Sequence, residues 1–234
     1  MLSVKNVSVF YGEFKALSNI SLEVKTKETT IVLGPNGSGK TTLMKAISGL
    51  ERIRSGEIYL DGERVDTKEA HEIAAAGIAL VPEGGRLFPG LSVYENLKIG
   101  SYAPRLRKQF RESLDEVFSL FPRLKERQTQ MAGSMSGGER QMLAVARSLM
   151  SKPKLLILDE PSAGLAPKVI QGIFNFVEQI KERGYSILMV EQNAVKALQL
   201  ANYAYLFESG KLVFEGGKEE FDKNEYIRKA YLGI

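Results

Sequence analysis

Gly34-Pro-Asn-Gly-Ser-Gly-Lys-Thr-Thr42 decides how the rest of the chain is read, because it follows the apolar run Thr30 to Leu33 and opens an apolar-periodic helix. Gly34, Gly39, Lys40 and Thr41 fit the spacing of a phosphate-binding P-loop, with Pro35, Asn36, Gly37 and Ser38 between the glycines. A phosphate chain binds where backbone N–H groups converge on it, and glycines permit positive φ and close approach. Lys40 is expected to place a mobile cation on the β- and γ-phosphates and Thr41 to offer its hydroxyl to Mg²⁺. The helix that starts there, with Thr42, adds its positive dipole end. A glycine-rich turn is the plain alternative, and the strand before and helix after argue against it.

Composition narrows the chemistry. The 234 residues can bury roughly 70 to 75% of their unfolded surface, enough for one large domain or a core with a subdomain. There is no cysteine, which excludes disulfides, thiolate metal sites and cysteine nucleophiles. The start, Met1-Leu-Ser-Val-Lys5, lacks a signal-peptide pattern, and no apolar run approaches the ~20 residues that span a bilayer. The expectation is a soluble chain whose membrane role comes through a partner. The net charge of +4 is spread, as in Lys25, Lys27 and Glu28 or Lys181, Glu182 and Arg183, so a mixed solvated surface is read and nucleic acid is not expected as a partner. The one histidine, His71, lies in a helical stretch far from the loop, so no His-based triad or zinc site is expected.

Outward from the loop, residues 2–9 and 20–24 alternate in part (Val7, Val9; Ile20, Leu22, Val24), as half-buried antiparallel strands do. Between them lies Phe10-Tyr-Gly12, where Tyr11 can stack on a base or simply pack. Leu43, Ile47 and Leu50 fall on one face of the helix after the loop, and Gly56 to Gly62 reads as a strand with an Asp-Gly turn. Strand Ile78 to Val81 stops at Pro82-Glu83-Gly-Gly85. From about Gly84 to Ser148 strand signals give way to helical spacing, as in Phe110, Leu114, Val117, Phe118 and Phe121. Residues 84–148 therefore read as a helical insert in a core of residues 1–83 and 149–234. Helix Lys168 to Arg183, strand Ile187 to Val190, helix Ala194 to Leu200, strand Ala204 to Phe207, a hairpin at Ser209-Gly210 and a polar helical tail from Glu219 to Leu232 complete the chain. The fold class is α/β: a P-loop NTPase core with a mostly parallel sheet flanked by helices, an N-terminal antiparallel β subdomain and an inserted helical subdomain.

Two further stretches carry chemistry. Ser134-Met-Ser-Gly-Gly-Glu-Arg140 precedes the helix Gln141 to Met150, and its serine and glycines either bind an anion at a helix start or merely cap the helix. Leu155-Leu-Ile-Leu-Asp-Glu-Pro161 is an apolar strand ending in two acids, which places carboxylates at the carboxyl edge of a sheet, where ligands of such sheets bind. Asp159 can hold Mg²⁺ through its water shell, and Glu160 can take a proton from an attacking water.

P-loop, Ser-Gly-Gly stretch and acid strand, in this order and spacing, resemble the ATP-binding subunits of ABC transporters from Tyr11 to at least Gly216. Val81-Pro-Glu83, Met135-Ser-Gly-Gly-Glu139-Arg-Gln-Met-Leu143, Gly164-Leu-Ala-Pro167, Val190-Glu-Gln-Asn193 and Ala230-Tyr-Leu-Gly233 are most similar to the LivF type of branched-chain amino-acid uptake systems. The resemblance implies two subunits meeting head to tail, with ATP on one P-loop closed over by Ser136, Gly137, Gly138 and Glu139 of the other. It implies Tyr11 on the adenine, Glu160 as general base, and Thr41, Asp159 and Glu83 about Mg²⁺. Lys40, Gln192 and Glu83 join Glu160 in the catalytic set. The chain departs from most of the family at three points: Glu83 replaces a glutamine that senses the γ-phosphate, Gln192 a switch histidine, and Ala166 an aspartate that contacts the other subunit. An amide at Gln192 still donates a hydrogen bond but cannot become a cation.

The implied protein is an ATPase that powers import of branched-chain or related amino acids. Its implied partners are a sister ATPase in a heterodimer or a second copy in a homodimer, the transmembrane permease, and indirectly a solute-binding protein. It would lie peripherally on the cytoplasmic side of the cell membrane. The alternatives are an ABC ATPase for another substrate and a soluble ABC ATPase acting on nucleic acid or ribosomes.

Overall fold

The computed structural model describes residues 1–233, the side chains of residues 104 and 105 apart. The chain divides into two compact units, a first made of Met1–Ala76 with the chain from Ser186 onward and a second of Gly77–Tyr185.

In the first unit, β1 (Leu2–Tyr11) and β2 (Phe14–Val24) form a hairpin about Gly12-Glu13, both longer than the alternation alone predicts. Two asparagines account for the difference. Buried residues run Leu2, Val4, Val7, Val9 on one strand and Leu17, Ile20, Leu22, Val24 on the other, a period of two with one slip in each. Asn6 and Asn19 take left-handed φ of 50° and 52° near those slips, and the pairing shifts register there. Each bulge returns the following apolar residues to the core face. Ser8 Oγ donates to Asn19 Oδ1 at 3.1 Å and accepts from Asn19 N at 3.0 Å, which ties the two strands across the bulge.

The wholly buried β3 (Thr29–Leu33) leads through the loop to α1 (Lys40–Ile47). Leu50, expected on the face of that helix, lies beyond it and is exposed, because Gly49 at φ 72° ends the helical path. β4 (Ser55–Leu60) and β5 (Glu63–Arg64) turn at Asp61-Gly62 and complete an antiparallel sheet of order β2-β1-β4-β5. α2 (Ala70–Ala76) carries His71 on its exposed side.

The second unit runs β6 (Ile78–Val81), α3 (Val93–Gly100), α4 (Pro104–Arg107), α5 (Phe110–Leu120), α6 (Pro122–Glu126), α7 (Gly137–Leu149), β7 (Leu155–Asp159) and α8 (Pro167–Glu182). Proline occupies an N-terminal position of α4, α6 and α8, where its missing N–H costs nothing. β6 and β7 are parallel, with Ile78 opposite Leu155 and Val81 opposite Leu158. α7 begins at Gly137, a turn earlier than its apolar pattern suggests, because Ser136 caps it; it packs on α3, α8 and β6.

The chain then returns to the first unit as β8 (Ser186–Glu191), α9 (Ala194–Leu200), β9 (Tyr203–Glu208), β10 (Lys211–Gly216), α10 (Lys218–Lys223), α11 (Glu225–Ile227) and a π-helical turn, Arg228–Leu232. β3 is parallel to β8 on one side and to β9 on the other, and β10 runs antiparallel to β9. The tail is broken at Asn224, whose side chain accepts from Ile227 N at 3.1 Å and restarts the helix. Parallel strands around the loop, a separate antiparallel sheet and a helix-rich second unit make the α/β architecture expected from the sequence. Among the described residues no helix is long and apolar enough to cross a membrane.

Candidate active site

The loop leaves β3 at the carboxyl end of parallel strands. Gly34 has φ 150°, and a Cβ there would lie 2.3 Å from Phe207 O and 2.7 Å from Ser38 Oγ, so only glycine passes. Lys40, 3% exposed, donates through Nζ to Gly34 O and Pro35 O at 3.0 Å each. The cation therefore sits inside the curve of the loop. Ser38 Oγ is buried without a hydrogen-bond partner. Such a hydroxyl costs about 1–3 kcal/mol unless something accepts from it, and a phosphate oxygen is a fitting acceptor. Pro35, Asn36 and Gly37 form the exposed crest, with Thr41 and Thr42 half-buried in the first turn of α1.

Tyr11 ends β1, 42% exposed, with its hydroxyl 3.4 Å from Thr42 Oγ1. The ring thus stands beside the loop with area to offer a base. Gln192 follows β8, and Leu33 pairs with Glu191, so register alone brings Gln192 to the same sheet edge as Gly34. Glu191 itself is buried and accepts from Gln192 N at 3.2 Å. Its signal in the sequence is a charged residue closing an otherwise apolar strand.

In the second unit, Asp159 is the buried last residue of β7 and Glu160 follows at φ 46°. A non-glycine residue held there stores about 1–3 kcal/mol, and such strain clusters at functional positions. The register of Val81 with Leu158 puts Pro82-Glu83 at the same edge as Asp159-Glu160, and Glu83 is exposed. Ser136 caps α7 in a reciprocal box: its Oγ accepts from Glu139 N at 3.4 Å, while Ser136 N donates to Glu139 Oε2 at 2.9 Å. Arg127 Nη1 donates to Glu139 Oε1 at 2.7 Å. The backbone N–H of Ser136, ahead of its hydroxyl and the Arg127 and Arg123 cations, holds the Glu139 carboxyl below its ordinary range. Gly137 and Gly138 lie against α8 and the turn before it: a Cβ on Gly137 would be 3.2 Å from Leu165 Cδ2, and one on Gly138 would be 2.3 Å from Val169 Cγ1.

Arg147 and Asn96 are further residues that the sequence did not single out. Asn96 is fully buried on α3 and Arg147 lies on α7, and both bond the chain that follows Glu83.

Comparison with known proteins agrees with this chemistry. The family pattern described as ABC transporter matches residues 17–163. The high-affinity branched-chain amino acid transport ATP-binding protein BraG of Pseudomonas aeruginosa is 47% identical over 233 residues, covering 100% of both chains. The probable branched-chain amino acid transport ATP-binding protein LivF of Archaeoglobus fulgidus is 37% identical over 235 residues, covering 100% of this chain and 99% of its own. Among solved structures, the ADP conformation of an ATP-binding cassette of an ABC transporter superposes with a TM-score of 0.84 at 30% identity, over 100% of this chain and 99% of that one. With a P-loop built around a buried lysine and a match of this extent, the chain belongs to the ATP-binding, ATP-hydrolysing family of ABC transporters.

Proposed function

We propose that the chain is the ATPase subunit of an importer of branched-chain or related amino acids. The full-length likeness to BraG carries the substrate class, and the loop geometry around Lys40 carries the ATPase chemistry. ATP binds with its phosphates along Gly34 to Thr42 and its base on Tyr11. Water attacks the γ-phosphorus in line, Glu160 accepts its proton, and the bond to the β–γ bridging oxygen breaks. Lys40 and Gln192 donate to the phosphoryl oxygens as charge builds on them. Thr41 and Asp159, with Glu83, would hold Mg²⁺, which when bound neutralises part of that charge. Ser136 to Glu139, in the helical subdomain of residues 84–148, face the ATP of the other subunit. That subunit is a sister ATPase, or a second copy. Both dock on a permease at the cytoplasmic side of the membrane, and a solute-binding protein delivers the amino acid.

The test is uptake in proteoliposomes that hold the chain with its sister subunit, a permease pair and a solute-binding protein. The expected result is ATP-dependent accumulation of leucine, isoleucine or valine that Glu160→Gln abolishes. ATP hydrolysis without uptake of any of these would remove the substrate assignment and leave the ATPase standing. Absence of Mg²⁺-dependent phosphate release from the wild type would overturn both.

A further inference from the structure

The segment after Glu83 is the most contorted backbone of the second unit. Gly84, Gly85 and Arg86 take φ of 72°, 70° and 39°, three left-handed residues in succession, and Arg86 is not a glycine. Such a run persists only where its surroundings over-determine it. Two side chains hold the segment and the chain just after it, the buried Asn96 and the half-buried Arg147. Asn96 Nδ2 donates to Phe88 O, Leu91 O and Ser92 O at 3.1, 3.3 and 3.0 Å, and its Oδ1 accepts from Phe88 N at 3.1 Å. Arg147 Nη2 donates to Gly85 O at 3.1 Å and Arg86 O at 3.0 Å, with its guanidinium 5.6 Å from the centre of the Phe88 ring.

Arg147 is an unusual investment. Its partners are two carbonyls and an aromatic face, and no ion pair to it exists among the described residues. Burial lowers its pKa from the ordinary arginine value, so the charge is held at a cost that the carbonyl dipoles offset only in part. Beside it the same helix buries Gln141, 5% exposed, whose Nε2 has no hydrogen-bond partner. A Cβ on Gly85 would lie 3.4 Å from Gln141 Oε1 and 2.8 Å from Ala144 Cβ, so the contorted segment rests directly on α7 between Gln141 and Arg147.

We infer that Arg147 is a positioning residue that locks the Glu83 segment to α7, the helix that Ser136 caps. Arg147 thereby sets where Glu83 stands at the edge beside Glu160, and the inference rests on the proposed role of Glu83 at Mg²⁺.

The test uses full-length Arg147→Lys, which keeps the charge but loses the forked donor, and Arg147→Met as the uncharged second variant. Hydrogen exchange at residues 84–88 and steady-state Mg²⁺-ATPase assays are read for each beside Glu83→Ala, with folding checked by melting temperature. Expected are at least tenfold faster exchange at residues 84–88, a kcat reduced about tenfold, a raised Mg²⁺ half-saturation, and a nucleotide Kd within twofold of wild type. A folded Arg147→Lys with wild-type exchange and wild-type Mg²⁺ dependence overturns the inference if Glu83→Ala is impaired. Glu83→Ala with wild-type kcat and Mg²⁺ dependence overturns the reading of Glu83 beneath it.

Discussion

Replacing Gly138 by alanine puts a methyl group 2.3 Å from Val169 Cγ1, across the contact between α7 and α8. Carbon atoms rest at about 3.5–4.0 Å, so one side must retreat by more than ~1 Å. Val169 has little freedom to turn away, since β-branched side chains in helices hold one χ1 rotamer. Overpacking of this kind costs about 1–3 kcal/mol. Gly→Ala in a helix gains about 1 kcal/mol, so a net loss of up to about 2 kcal/mol is expected. The cause is isolated by Val169→Ala and the double variant, compared by urea unfolding. If the clash is responsible, the double variant is more stable than the sum of the single effects by about 1–2 kcal/mol. A coupling energy near zero, within ~0.5 kcal/mol, would refute the packing explanation. ATPase activity of the double variant tests the proposed anion role of that glycine: recovered stability without recovered activity would show that packing is not its whole requirement.

Lys40→Ala is expected to remove nucleotide binding in a titration with a fluorescent ATP analogue, since the cation lies within the loop itself. Ser136→Arg should leave that binding intact in the isolated chain and prevent ATP-dependent dimerisation on size exclusion; loss of binding in the isolated variant would contradict a site shared between subunits. Ser136→Ala removes the cap of α7 and should cost about 0.5–2 kcal/mol in thermal melting. The depressed pKa of Glu139 in the folded chain means that its contribution to stability is complete above the ordinary carboxylate range. It is lost as pH falls through the lower native value. Glu139→Gln should therefore flatten the fall of stability with acid below about pH 4, measured by unfolding across that range.

Legibility in the sequence followed locality. The P-loop, the strand before it and the acid strand Leu155–Asp159 were legible because each is a contiguous run whose residue types answer to one local demand. The hairpin strands look shorter in the sequence than they are because Asn6 and Asn19 interrupt a period of two, and a bulge can be told from a strand end only when the partner strand shifts with it. The start of α7 is obscured for a similar reason: two glycines after a serine argue against helix, and the cap between Ser136 and Glu139 overrides them. Arg147 and Asn96 carry no mark in the sequence. Both bond to backbone carbonyls, and a carbonyl carries no residue-type signal to find.

The sequence by itself determined the P-loop, the strand and helix on either side of it, and which acids close the strand of the second unit, because glycine spacing, a lysine and strand-end carboxylates have few other chemical uses together. Only the tertiary structure decided how those groups are held. Register between parallel strands sets Gln192 beside the loop and Glu83 beside Glu160, the reach of Val169 sets the size of residue 138, and Arg147 sets the path of the chain after Glu83. Each of these is a distance between segments remote in the chain, and packing, not local preference, fixes such distances.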